Sequence, residues 1–199
     1  MTAFVLDPAT GLPIGPEIEA GPARRPAPGT VLEGRYVRLA PIDPVAHLDA
    51  LYANAHGPDA EKLWLYLGSA PFTDKAAFRS YLETLAASQD PFAFAILDPA
   101  SGEALGHATY LRIEPAQRVI EVGHILYTPA LQRSPAATEV MYLMARHAFE
   151  DLGYRRYEWK CNALNAPSRR AAGRYGFVYE GLFRDHMIVK GRSLSLIHI

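Results

Sequence analysis

The sequence predicts an α/β (α+β) fold, a mixed and mostly antiparallel sheet flanked by helices. Three features carry that prediction. Residues 91–128 hold three apolar, strand-like runs separated only by the turn signals D-P-A-S-G and E-P-A-Q-R, the pattern of an antiparallel meander. An apolar stripe at helical spacing follows, from Ala137 through Val140, Met141, Met144 and Ala148 to Leu152, with Gly153 placed to end it. Beyond it the pattern becomes strand, short helix and strand, a crossover that makes the sheet mixed.

Taken in order, residues 1–30 are rich in Pro and Gly and can neither propagate a helix nor pair as a central strand, so they read as an extended arm. Residues 31–193 read as one domain. Tyr36, Val37, Leu39 and Ile42 lie in a strand-like run that Pro44 ends. Val45–Ala55 reads as a helix stopped by Gly57 and Pro58, and Asp59 can cap a short second one. Phe78, Tyr81, Leu82 and Leu85 share a helix face, with Thr73 as its expected N-cap. The meander and the long helix come next. Tyr154–Asn162 is a further strand, Asn165–Tyr175 a short helix with Pro167 in its first turn, and Phe177–Lys190 a long last strand.

Composition narrows the function classes. The 199 residues are 49% hydrophobic and 21% charged, ordinary for one globular domain. A formal net charge of -1 gives no electrostatic footprint for nucleic acid or an anionic membrane, so neither is expected as a partner. No apolar run approaches a membrane span and no basic-then-apolar signal opens the chain, so the expected location is cytoplasmic. The single cysteine, Cys161, excludes an internal disulfide; within W-K-C-N it reads as a packed small hydrophobe. No His/Cys/Asp cluster has metal-ligand spacing, and no metal is expected.

Chemistry concentrates in two segments. G-H-I-L-Y-T-P-A-L-Q-R-S-P-A-A-T-E runs from a strand through a loop into a helix, whose N-terminal N–H groups and dipole favour an anion. N-A-P-S-R-R-A-A-G-R-Y-G-F follows the next strand. Together they resemble the GCN5-related N-acetyltransferase superfamily, in its branch of ribosomal-protein N-terminal acetyltransferases. The first segment is similar to that family's Q/R-x-x-G-x-G/A signature and the second to its N-x-x-S and terminal G-F. Two departures stand out: Pro135 occupies the place of the first signature Gly, and Ala172 that of a tyrosine many members use against the departing thiolate.

The resemblance implies an N-acetyltransferase that moves an acetyl group from acetyl-CoA directly to a primary amine, a protein N-terminus or a small molecule, in a ternary complex. It also implies the site. Gln132, Arg133, Ser134, Ala136, Ala137 and Thr138 would hold the pyrophosphate. The backbone of Ile125, Leu126 and Tyr127 would face the thioester, and Asn165 and Ser168 the pantetheine and sulfur, with Ser168 substituting for the missing tyrosine. Glu121 is the expected base, set by strand alternation on one face with Gly123 and Ile125, opposite Val122, His124 and Leu126. Gly123 would leave room for the acetyl group or acceptor, and Trp64 and Tyr66 would wall the acceptor pocket. Each has a structural alternative: an Arg-paired sheet residue for Glu121, a helix N-cap for Asn165, core packing for Trp64 and Tyr66, and a satisfied structural residue for His124. The competing function is a non-catalytic acyl-CoA-binding or protein-interaction module on the same fold.

Residues 194–199, L-S-L-I-H-I, do not resemble the family's final strand. They match a translation of CTGTCTCTTATACACATC, a sequencing-adaptor end. The expectation is therefore a non-native tail and a sheet without its natural last strand.

Overall fold

The computed structural model describes residues 3–18, 21–69 and 71–199. Strands β1 (Val5–Leu6) and β2 (Pro13–Ile14) pair as a small exposed hairpin in the N-terminal arm. The main sheet contains β3 (Leu32–Glu33), β4 (Arg38–Pro41), β5 (Phe92–Leu97), β6 (Ala104–Glu114), β7 (Val119–Tyr127), β8 (Arg156–Asn162), β9 (Gly181–Val189) and β10 (Arg192–His198). Its order is β3-β4-β5-β6-β7-β8-β10-β9, and among the described residues only the β7–β8 pair is parallel. The mixed, mostly antiparallel sheet predicted from the meander and crossover is the one observed.

Helices cover both faces. On one side α1 (Leu48–Ala55), α2 (Ala60–Trp64) and α3 (Lys75–Ala87) bury Leu51, Trp64, Phe78 and Leu82 against Ala93, Ala95 and Leu126. On the other, α4 (Pro135–Arg146) and α5 (Ala166–Arg174) enclose Phe94, Tyr110, Ile120, Val122, Val140 and Met144. Full burial of a side chain such as Phe78 or Met144 contributes roughly 1.5–3 kcal/mol.

Several local expectations are refined. The cap of α3 is Asp74, whose carboxylate accepts the Ala77 N–H at 2.8 Å, while Thr73 donates to Asp74 from one residue earlier. The long helix does not run evenly to Leu152: after Arg146 it widens into a π turn, His147–Asp151, before Gly153 at φ +81 ends it. The arm is docked over part of its length. The Ala23 N–H bonds to the Pro115 carbonyl, and Arg25 reaches the carbonyls of Ile113 and Gln89 at 3.2 and 2.9 Å. Residues 1, 2, 19 and 20 of the arm lie outside the described residues.

Residues of the expected non-native tail take part in the sheet. Arg192–His198 forms β10, inserted between β8 and β9, with Leu196 and Ile197 buried. Alternation of small polar and apolar residues in R-S-L-S-L-I-H suits a strand whatever its origin. The preceding strand is also shorter than predicted, beginning at Gly181 rather than Phe177.

Candidate active site

Strands β7 and β8 run side by side from Val119–Arg156 to Val122–Trp159, and there their ladder stops. The remaining five residues of β7, Gly123–Tyr127, therefore have no strand partner on that side, and a V-shaped gap opens between them and Lys160–Asn162. The N-terminus of α4 lies past the end of β7, and the N-terminus of α5 past the end of β8. Both segments singled out in the sequence converge on this splay.

At α4 the caps decide which N–H groups stay free. Ser134 is the N-cap, and its hydroxyl accepts the Ala137 N–H at 3.2 Å and donates to the Leu131 carbonyl at 2.6 Å. Ala137 is thus already satisfied, contrary to its expected part in an anion cradle. The Gln132 N–H bonds to the Thr128 carbonyl and its side-chain amide to the Tyr127 carbonyl at 2.7 Å, so Gln132 closes the loop. The N–H groups of Arg133 and Ser134 have no acceptor among the described residues. Arg133 adopts φ +58 and is exposed, a left-handed step that re-aims successive N–H groups. Pro135 is the first helical residue, where no intrahelical N–H bond is lost. Ala136 is half-buried and Thr138 exposed beside them. This donor set fits a pyrophosphate, on fewer N–H groups than the sequence suggests. Gln132 and Arg133 also line a cleft of about 510 Å³ whose opposite wall is Asn54–Leu63.

The side chain of Tyr127 turns into α4: its hydroxyl and that of Tyr175 both donate to the Ala137 carbonyl, at 3.2 and 3.3 Å. Ala172 is fully buried. At α5, Asn165 is the N-cap, accepting the Ser168 N–H at 3.1 Å, so the helix-cap alternative is realised. The Ser168 hydroxyl accepts the Trp159 indole N–H at 3.0 Å and keeps its own proton to donate.

Across the other face of the sheet the expected base is not free. Glu121 is 3% exposed, and its two oxygens are held by Arg112 at 2.7 Å and Lys160 at 2.6 Å. Lys160 also bonds Glu158, which bonds Arg156, which bonds Glu180, so positive and negative side chains alternate across three strands. Burial raises the Glu158 pKa, but hydrogen bonds from Arg156 and Lys160 outweigh it and hold the group below its usual value. The Arg-paired alternative is the observed state of Glu121. A Cβ at Gly123 would meet only side-chain atoms, the nearest being the Leu111 Cδ2 methyl at 2.8 Å.

The alternation argument fails at one place. Thr109 pairs with Gly123 and His107 with Leu126, so one residue of β6, Ala108, faces two of β7, His124 and Ile125, a bulge with His124 at φ +45. Val122 and Ile125 pack toward α4, while Leu126 packs toward α1–α3. His124 thereby joins Glu121 on one face instead of opposing it. Beneath them His107 is 1% exposed, its Nε2 lying 3.2 Å from the Tyr81 hydroxyl and its pKa pushed down to about 3 by burial. Gly106 makes the bulge possible, because any Cβ there would collide with the Leu126 carbonyl oxygen.

The turn after α2 is tied to two distant segments. Tyr66 donates to the Leu164 carbonyl at 3.2 Å and Lys190 to the Trp64 carbonyl at 2.7 Å. Trp64 itself is fully buried and bonds the Ala55 carbonyl, so it is core; Tyr66 is 39% exposed and stands at the rim. Among the described residues no group of three or more His, Cys, Asp or Glu side chains could hold a metal ion, and no helix is long and apolar enough to cross a membrane.

Sequence reasoning missed Glu139, which ties the start of α4 to the turn before β4. From the first turns of α4 its carboxylate accepts the N–H groups of Arg35, Tyr36 and Val37 at 2.9, 2.6 and 2.9 Å. Nothing local in E-G-R-Y-V announces that partner, about 100 residues away.

Comparison with known proteins agrees with this geometry. A family model described as an acetyltransferase (GNAT) domain matches residues 37–178. The structure of a GCN5-related N-acetyltransferase from Brucella melitensis is 44% identical, covering 90% of this chain and 81% of that one at a TM-score of 0.87. A probable GNAT-family acetyltransferase from Chromobacterium violaceum ATCC 12472 is 36% identical, covering 94% of each chain at a TM-score of 0.85. At 17% identity and a TM-score of 0.73, covering 85% of this chain and 96% of that one, a Salmonella typhimurium acetyl transferase that modifies the N-terminal serine of a 50S ribosomal subunit protein shares the fold. Comparison with curated proteins finds no match.

Proposed function

The chain belongs to the GCN5-related N-acetyltransferase family, and from that premise we propose that it transfers an acetyl group from acetyl-CoA to a primary amine by direct attack in a ternary complex. The observation that carries this reading is the parting of β7 and β8 after Val122–Trp159, with the uncapped N–H groups of Arg133 and Ser134 at its mouth.

When bound, acetyl-CoA supplies the activated acyl group. The N–H groups of Arg133 and Ser134, with the positive end of α4 and the Arg133 guanidinium, bind its pyrophosphate. The backbone of Ile125–Tyr127, on the edge that β8 no longer covers, orients the thioester. Ser168, fixed by the Trp159 indole and by Asn165 at the start of α5, donates a hydrogen bond to the sulfur. Glu121 is held between two cations, both carboxylate oxygens engaged; its work is to anchor β6, β7 and β8 to one another. The acceptor enters from the side bounded by Tyr66. The fold shared with an enzyme that modifies a protein N-terminus favours including N-terminal peptides among the acceptors tested.

The test is a thiol-release assay with acetyl-CoA and a panel of N-terminal peptides, amino sugars and simple amines, alongside melting curves with acetyl-CoA. The expected result is stabilisation by acetyl-CoA and thiol release with at least one amine. An unchanged melting temperature removes the cofactor from the proposal. Stabilisation without thiol release from any amine favours a binding module instead.

A further inference from the structure

We infer that His124, rather than Glu121, is the base that accepts a proton from the attacking amine; the inference rests on the acetyl-transfer reading above. Three observations converge on it. First, the bulge sets His124 on the same face of β7 as Glu121, two residues past the last β7–β8 pair, where the strands have just separated. Second, its side chain is exposed while Glu121 beside it is sealed by Arg112 and Lys160. Third, a non-glycine residue at φ +45 is an uncommon conformation, here forced by the bulge that Gly106 accommodates.

The charged surroundings keep the imidazole ready to take a proton. Partial burial lowers its pKa from the ordinary histidine value, and the Arg112 guanidinium on β6 lowers it further; Glu121 on β7 and Asp90 before β5 act in the opposite direction without reversing the shift. His107, on β6, is itself kept neutral by burial and contributes no positive charge at neutral pH. His124 is therefore mostly unprotonated at pH 7, the state a base must start from. Glu121 could fill that role only by giving up two ion pairs.

The step balances simply. As the amine nitrogen bonds to the acetyl carbonyl carbon and the carbon–sulfur bond breaks, one nitrogen-bound proton passes to the imidazole. The departing sulfur takes a proton from Ser168 or solvent, Ser168 is reprotonated by water, and the imidazolium returns its proton to water.

The experiment compares wild type with H124N, a substitution chosen because Asn tolerates positive φ, and with H124Q as a second variant. Melting curves and acetyl-CoA affinity establish that each variant is folded and loaded. The expected result with the best amine of the panel is a kcat at pH 7 lower by about 100-fold or more, with unchanged acetyl-CoA Kd. The deficit should narrow as pH rises toward ~10, where hydroxide and the free amine replace the missing base, a change that a merely structural role would not produce. An active wild type with either folded variant within a few-fold of its rate overturns the assignment and leaves acetyl transfer standing. An inactive wild type that binds acetyl-CoA overturns the acetyl-transfer reading, and His124 as its base falls with it.

Discussion

Glu121 Oε2 lies 2.6 Å from Lys160 Nζ, an ion pair between neighbouring parallel strands with both side chains largely withdrawn from water. It closes the side of the site where the two strands still touch. One residue pair later they part, so the bond acts as the crotch of the V in which the substrates meet.

Replacing Glu121 with Gln should cost stability before it costs chemistry. Breaking a buried pair costs about 3–5 kcal/mol when the partner is stranded, and here Lys160 keeps Glu158 while Arg112 is half-exposed, so roughly 2–4 kcal/mol is expected. Urea unfolding measures that. Turnover per folded molecule should fall only a few-fold, against the 100-fold or more due to loss of a base; a selective collapse of kcat would return the base role to Glu121.

Glu139→Gln should loosen the start of α4. Three backbone N–H groups converge on this carboxylate, and a neutral amide can accept at only one oxygen, leaving at least one donor unsatisfied. The expected loss is about 1–3 kcal/mol in unfolding free energy. Acetyl-CoA affinity should weaken with it in calorimetric titrations, because the same helix presents the Ser134 cap.

Gly106→Ala should be costly although its site is an ordinary-looking strand position. The new methyl meets a backbone carbonyl, which cannot rotate away as a side chain would, so the bulge at His124 must shift. About 1–3 kcal/mol or more is expected from overpacking of this kind. The informative measurement is turnover of the remaining folded protein, expected to fall together with stability.

The protein should lose stability as pH falls from about 6.5 toward 3, and His107 should be one cause. Its folded pKa is depressed to about 3, so between these values the unfolded chain binds a proton that the native state refuses. The contribution is fully present above the unfolded pKa, and it declines by about 1.4 kcal/mol per pH unit until the folded pKa is reached. Urea midpoints at several pH values should show a smaller decline in H107Q than in wild type. Glu158 adds a second loss at lower pH, because its folded pKa lies below the ordinary value of about 4.3.

Much of the fold was legible because its signals are local. Turns such as D-P-A-S-G, the stripe from Ala137 to Leu152, and Ser134 and Asn165 before their helices each specify an element from within a few residues. What escaped depends on the partner strand or on distant chain. The bulge cannot be read from V-I-E-V-G-H-I, because it exists only relative to β6, and it reversed the face assigned to His124. The cations that neutralise Glu121 come from positions 112 and 160, and the carboxylate that holds residues 35–37 comes from position 139. The place of residues 194–198 in the sheet is likewise set by the open edge of β8.

The position of β10 has a consequence for the order in which the molecule can assemble. β9 precedes β10 in the chain but lies outside it in the sheet, with β10 between it and β8. Until β10 docks, β9 has no edge of the sheet to join, so the β9–β10 hairpin must form first and then lay its second arm against β8. Assembly of this side of the sheet is thus inward from a hairpin instead of outward strand by strand, and until it is complete β8 presents an open edge to other chains.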